Sequence, residues 1–193
     1  MFRRRSFLKS SSLIAGGLIL PKLSFKSKKN NRKKLKIAVV GCGGRGTGAA
    51  VQALRADNNV ELVTLADAFK DRLETSLNAI KDEFEGEMEI NIKEKNKFVG
   101  FDAYKKAIDK SDVVILASPP GFRPAHFEYA INKNKHVFME KPVATDAHGV
   151  RQVLNSARKA KEKNLNVVVG LQRRYQKSYL SAKKQIDRGM IGK

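Results

Sequence analysis

The sequence predicts an α/β fold, a doubly wound parallel sheet, on three observations. Short β-branched apolar runs alternate with segments of helical spacing from Leu35 onward. One of these runs is continuously apolar, as a strand buried on both faces requires. A glycine-rich turn, Gly41-x-Gly43-x-x-Gly46, stands where the first run meets the first helical segment.

The elements follow in order. Lys36–Val40 is the first strand and ends at Gly41. The spacing predicts a helix over Gly46–Ala56, then a strand over Val60–Ala66 that ends at Asp67. Phe69–Glu85 is helical, with Leu73, Leu77, Ile80 and Phe84 on one face. Residues 86–98 are polar, with a short strand expected near Met88–Ile92. Ala103–Asp109 is a short helix, and Asp112–Ala117 (DVVILA) is a buried strand stopped by Pro119-Pro120-Gly121. A helix over Pro124–Asn134 and a strand over His136–Met139 come next. Asp146 is placed to cap a long helix that runs to Lys163. Val167–Gly170 is the last strand and Tyr179–Arg188 the last helix.

The glycine turn follows a strand and opens a helix, the context that a dinucleotide fingerprint needs. Gly41 permits the tight turn. Gly43 leaves the backbone open to a pyrophosphate, and Gly46 lets the helix approach the strand. Gly44 and Arg45 complete the loop, and Arg45 either pairs with a phosphate or faces solvent. Helix N–H groups and the helix dipole then face the phosphates. Asp67 lies 21 residues beyond Gly46. A carboxylate there accepts both adenosine ribose hydroxyls and repels a 2′-phosphate, so NAD is expected over NADP. A loop-capping role is the alternative for Asp67, and a purely structural turn for the glycines. Cys42 is the only cysteine, which excludes an intrachain disulfide. With no obvious base beside it, it reads as a small packing residue.

Charge is uneven. The chain has 193 residues and a formal net charge of +20. Residues 1–36 hold twelve Lys and Arg and no acid, which leaves 27 of the 39 basic residues to set against 19 acidic ones. The folded body is therefore only mildly basic, a solvated surface rather than a nucleic-acid face. There is no Trp, no zinc-type Cys/His spacing and no aromatic–basic interleave, so neither a metal site nor specific nucleic-acid binding is expected. Arg4-Arg5-Ser6-Phe7-Leu8-Lys9 matches the twin-arginine export signature, and Leu13–Leu20 follows as an apolar segment too short to span a bilayer. Residues 1–34 thus read as an export signal with a charged linker, the alternative being a plain basic tail. The translocation machinery is the implied partner, and the expected location is periplasmic or membrane-associated. That route carries folded proteins, which suits a chain that takes up a dinucleotide first.

Ser118-Pro119-Pro120, His126 and Glu140-Lys141-Pro142 occur in that order, and GLQRRYQKSY follows. With the glycine loop, this layout resembles the Gfo/Idh/MocA family of oxidoreductases over roughly Leu35–Lys193. The resemblance implies a Rossmann-like NAD domain over residues 35–175 and the start of a second α+β domain at 176–193. It implies that Ser118 and Pro119 lie beneath the cofactor. Lys141 would sit near the nicotinamide and a substrate hydroxyl as the catalytic residue, partial burial shifting it toward general-base use. Glu140 would contact the cofactor or pair with Lys141, and the Lys141–Pro142 bond is expected to be cis. His126 is expected near the cofactor as a helix-packing residue rather than a catalyst. Gln172, Arg173 and Arg174 resemble the family's Arg-rich turn beside the nicotinamide, or form a basic surface turn.

The family's second domain supplies the substrate pocket, further catalytic residues and most oligomer contacts. The chain is expected to lack it and to expose apolar surface meant for it. The implied reaction is hydride transfer between nicotinamide and a sugar or polyol carbon. An NAD-dependent glycosidase of the same superfamily and an inactive nucleotide-binding remnant are the alternatives.

Overall fold

The computed structural model describes residues 33–192. The twin-arginine signature and the apolar segment after it lie outside the described residues. Six parallel strands form one sheet: β1 (Leu35–Val40), β2 (Val60–Asp67), β3 (Lys97–Val99), β4 (Val113–Leu116), β5 (His136–Met139) and β6 (Val167–Val169). Their order is β3-β2-β1-β4-β5-β6. The helices are α1 (Gly44–Ala56), α2 (Lys70–Glu83), α3 (Ala103–Asp109), α4 (Arg123–Asn132), α5 (Ala147–Glu162) and α6 (Lys177–Asp187). This is the Rossmann-like arrangement that the alternation predicts.

The two-residue period of β1 builds the two cores. Ile37 and Val39 point to one face, where Leu54 of α1 and Leu73, Leu77 and Ile80 of α2 close over them. Ala38 and Val40 point to the other, against Ile108 after α3's start and Phe127 and Ile131 of α4. Phe127, Leu65, Leu73 and Ile80 are fully buried. Asp146 caps α5 by accepting from the Gly149 N–H at 2.8 Å. Beyond the ends of α4 and α5, Asn134 and Asn164 adopt φ of 58° and 55°, the left-handed stop that asparagine tolerates better than most residues.

The strand expected near Met88–Ile92 is absent. Ile90 and Ile92 do bury, at 8% and 7% exposure, but against the α1/α2 core and without a neighbouring strand. The pairing edge of β2 is taken by β3, which aligns Lys97–Val99 with Leu65–Asp67. α6 buries no residue, and Tyr179, Leu180 and Ile186 stand exposed on it.

Candidate functional site

The carboxyl ends of β1, β2, β4 and β5 open onto a cleft of about 770 Å³. Strand order reverses between β1 and β4, and open parallel sheets hold ligands at such a switch point. The glycine loop lies on one wall. Gly41 has φ of 97°, and a Cβ there would stand 2.4 Å from the Ser118 nitrogen. A Cβ on Gly46 would stand 1.9 Å from the Gly41 carbonyl oxygen. These two glycines let β1, β4 and α1 meet.

Gly43 differs from both. It is the N-terminal cap of α1 with ordinary extended backbone, and a Cβ there would meet no protein atom within 4 Å. It lines the cleft, so the space its missing side chain leaves belongs to whatever occupies the cleft. Gly44 is exposed at the start of α1. The first N–H groups of that helix have no intrahelical acceptor and suit an anion. The chain's residues therefore fit a dinucleotide pyrophosphate.

Asp67 ends β2 and ties the loops together. Its Oδ2 accepts from the Cys42 N–H at 2.6 Å and its Oδ1 from the Phe69 N–H at 3.0 Å. It does cap its loop. Each carboxylate oxygen accepts more than one bond, so capacity remains for ribose hydroxyls. Burial and the Asp67 charge push the Cys42 thiol up to about 12. The thiol donates to the Ala66 carbonyl at 3.5 Å and is inert.

Arg45, expected at a phosphate or in solvent, spans instead to the end of β5. Its Nε donates to Glu140 Oε1 at 2.8 Å, and a terminal nitrogen lies 2.6 Å from the same oxygen. Glu140 is buried, and a buried carboxylate needs such a partner. It pairs with Arg45 rather than with Lys141. Gly170 makes room for it, since a Cβ there would lie 2.9 Å from Glu140 Oε1.

The opposite wall is the turn after β4 and the start of α4. Ser118 Oγ and His126 Nδ1 are 3.0 Å apart and buried. The His126 ring stacks on Tyr104 at 4.1 Å between centroids. Burial, then the nearby Arg123 charge, push its pKa down to about 4. At neutral pH it is an uncharged packing and hydrogen-bonding residue. Pro119 lines the cleft, as does Lys141, and the Lys141–Pro142 bond is cis. Lys141 is solvent-exposed, so the partial burial expected of it is not found. Arg173 does not line the cleft. Its guanidinium lies over the Tyr179 ring at 5.1 Å, while the preceding Gln172 reaches the cleft wall.

Several cleft residues escape a reading of the sequence. Phe69, Phe101 and Phe122 stand at its mouth, exposed by 61%, 71% and 47%. The exposed ends of polar loops gave no hint of them. Arg123 is 3% exposed, and an arginine in a proline-rich turn reads as solvated.

The chain matches the family model GFO_IDH_MocA, "Oxidoreductase family, NAD-binding Rossmann fold", over residues 35–170. It is 29% identical over 161 residues to inositol 2-dehydrogenase of Salmonella typhimurium, covering 82% of this chain and 43% of that protein. Among solved structures it is similar to scyllo-inositol dehydrogenase from Lactobacillus casei with bound NAD(H) and scyllo-inositol, with a TM-score of 0.63 and 26% identity. It is similar also to myo-inositol 2-dehydrogenase from Lactobacillus plantarum, with a TM-score of 0.63 and 30% identity. Each structural match covers 83% of this chain and 43% of the other. The chain thus spans less than half the length of the relatives it matches.

Proposed function

We propose, from the premise that the chain belongs to the Gfo/Idh/MocA oxidoreductase family, that it is the NAD-binding part of an enzyme that oxidises or reduces a polyol or sugar at a hydroxyl-bearing carbon. The observation that carries the reading is Gly43: a cleft-lining helix cap whose absent side chain makes room for no part of the protein. When bound there, NAD supplies hydride transfer at its nicotinamide ring. The chain's own residues do the rest. The α1 amino end holds the pyrophosphate. Asp67 accepts the adenosine ribose hydroxyls and disfavours a 2′-phosphate. Lys141, exposed at the edge of the cleft, orients the substrate hydroxyl and takes or returns its proton. Its neighbour Glu140 is ion-paired to Arg45 of the glycine loop.

The inositol dehydrogenases among the relatives support a polyol as the substrate class. The relatives are longer, and the exposed apolar side chains of α6 support a contact with further protein that completes the substrate pocket. The test is a panel of inositols and sugars supplied with NAD to the native gene product, followed at 340 nm. Reduction of NAD with a polyol, lost in Lys141→Ala with NAD affinity kept, is the expected result. Turnover unchanged in that variant overturns the role of Lys141.

Export by the twin-arginine route is part of the same proposal, supported by Arg4–Lys9. Fractionation of cells with and without the translocase tests this. A protein found outside the cytoplasm in both, or in neither, contradicts it.

A further inference from the structure

Arg123 opens α4 and is buried in the cleft wall, at 3% exposure. One terminal nitrogen donates to the Ser118 carbonyl and the other to the Pro142 carbonyl. These carbonyls belong to different turns, one after β4 and one after β5. Its Nε is buried with no partner among the described residues. The acid that acts on it, Glu140, is ion-paired to Arg45. Burial lowers the guanidinium's proton affinity from its ordinary value. A buried cation with two carbonyls and an orphaned N–H is a costly way to fill space. What only a guanidinium supplies is a planar fork that reaches two acceptors at once.

We propose that Arg123 is a positioning residue that locks the turn carrying Lys141 to the turn after β4, and so sets the cleft for the cofactor. The inference rests on the cofactor reading above. Glu140, on one side of Lys141, is fastened to the glycine loop through Arg45, and Pro142, on the other side, is fastened to Ser118 through Arg123. The exposed Lys141 side chain is then free to move while its backbone is not.

The test uses the full chain and two variants, Arg123→Lys and Arg123→Ala. Amide hydrogen exchange reads the hydrogen-bonded Glu140 and Gly149 amides that bracket the Lys141 turn against the bonded Gly41 and Cys42 amides of the glycine loop, and NAD titration reads affinity. Lysine keeps the charge but carries its donors on a single nitrogen, without the planar fork whose two terminal nitrogens span the two turns. Arg123→Lys is expected to exchange at least about tenfold faster at Glu140 and Gly149, with the glycine loop unchanged, and to bind NAD about tenfold more weakly. In Arg123→Ala, added ethylguanidinium restores both readouts and ethylammonium neither. Unchanged exchange at Glu140 and Gly149 in folded Arg123→Lys overturns the proposal. So does equal rescue by ethylammonium, since a space-filling role needs no fork. Failure of the unaltered chain to bind NAD strikes the cofactor assignment instead, and leaves the exchange result to decide Arg123.

Discussion

Replacing Gly43 with valine separates a ligand-binding glycine from a structural one. At Gly41 or Gly46 any side chain collides with backbone, 2.4 Å from Ser118 N and 1.9 Å from the Gly41 oxygen. Those variants would report on folding. At Gly43 the backbone is extended, with φ of −75° and ψ of 178°, and a Cβ meets no protein atom within 4 Å. The cost to the fold is only the poorer cap that valine makes, about 1 kcal/mol, a fall in Tm of about 2–4 °C. The cost to the ligand is larger. The valine methyls enter the cleft where the pyrophosphate meets the α1 amino end. Charge-assisted bonds from backbone N–H groups contribute about 1.5–3 kcal/mol each. Loss of two weakens NAD binding by about 100-fold to 10,000-fold. NADH is excited at wavelengths where protein side chains do not absorb, so its own fluorescence reports binding. A folded Gly43→Val protein that binds NADH as tightly as the parent would refute the reasoning.

Asp67→Asn keeps one acceptor oxygen for the loop but loses the charge, so the preference for NAD over NADP should fall at least about tenfold. Equal ratios in titrations of parent and variant would remove Asp67 from cofactor choice. His126 is uncharged in the folded chain down to about pH 4, whereas the unfolded chain protonates it near its ordinary value of 6.5. The unfolded state therefore binds the extra proton, and stability falls by about 3 kcal/mol as pH drops from about 6.5 to 4. Urea unfolding across that range should show this slope, and His126→Gln should lack that part of it. The Cys42 thiol, pushed up to about 12 and buried, should resist iodoacetamide at pH 8 in the native chain and react in urea. Rapid native alkylation, read by mass spectrometry, would contradict that placement.

The sheet and the glycine loop were legible because their signals are local. A β-branched run, a Gly-x-Gly-x-x-Gly turn and an acid after the next strand lie close together in sequence, and each has a mechanical reason. Asp67 shows the limit of such reading. Its position was legible, but its bonds to Cys42 and Phe69 depend on how two loops meet. The pairing of Arg45 with Glu140 crosses 95 positions, and no periodicity marks it. Arg123 was hidden for a different reason. Its guanidinium bonds carbonyls of the turns after β4 and β5, which come together only in the assembled sheet. The false strand near Met88–Ile92 arose because alternation reports burial of one face, and burial occurs there without a strand to pair with.

The most direct test of a dinucleotide site is one titration, of NAD into the full chain by calorimetry, with NADP and ATP alongside. Saturable binding of one NAD per chain, tighter than NADP and not reproduced by ATP, is the predicted result. No saturable heat with NAD from a chain that melts cooperatively would contradict it.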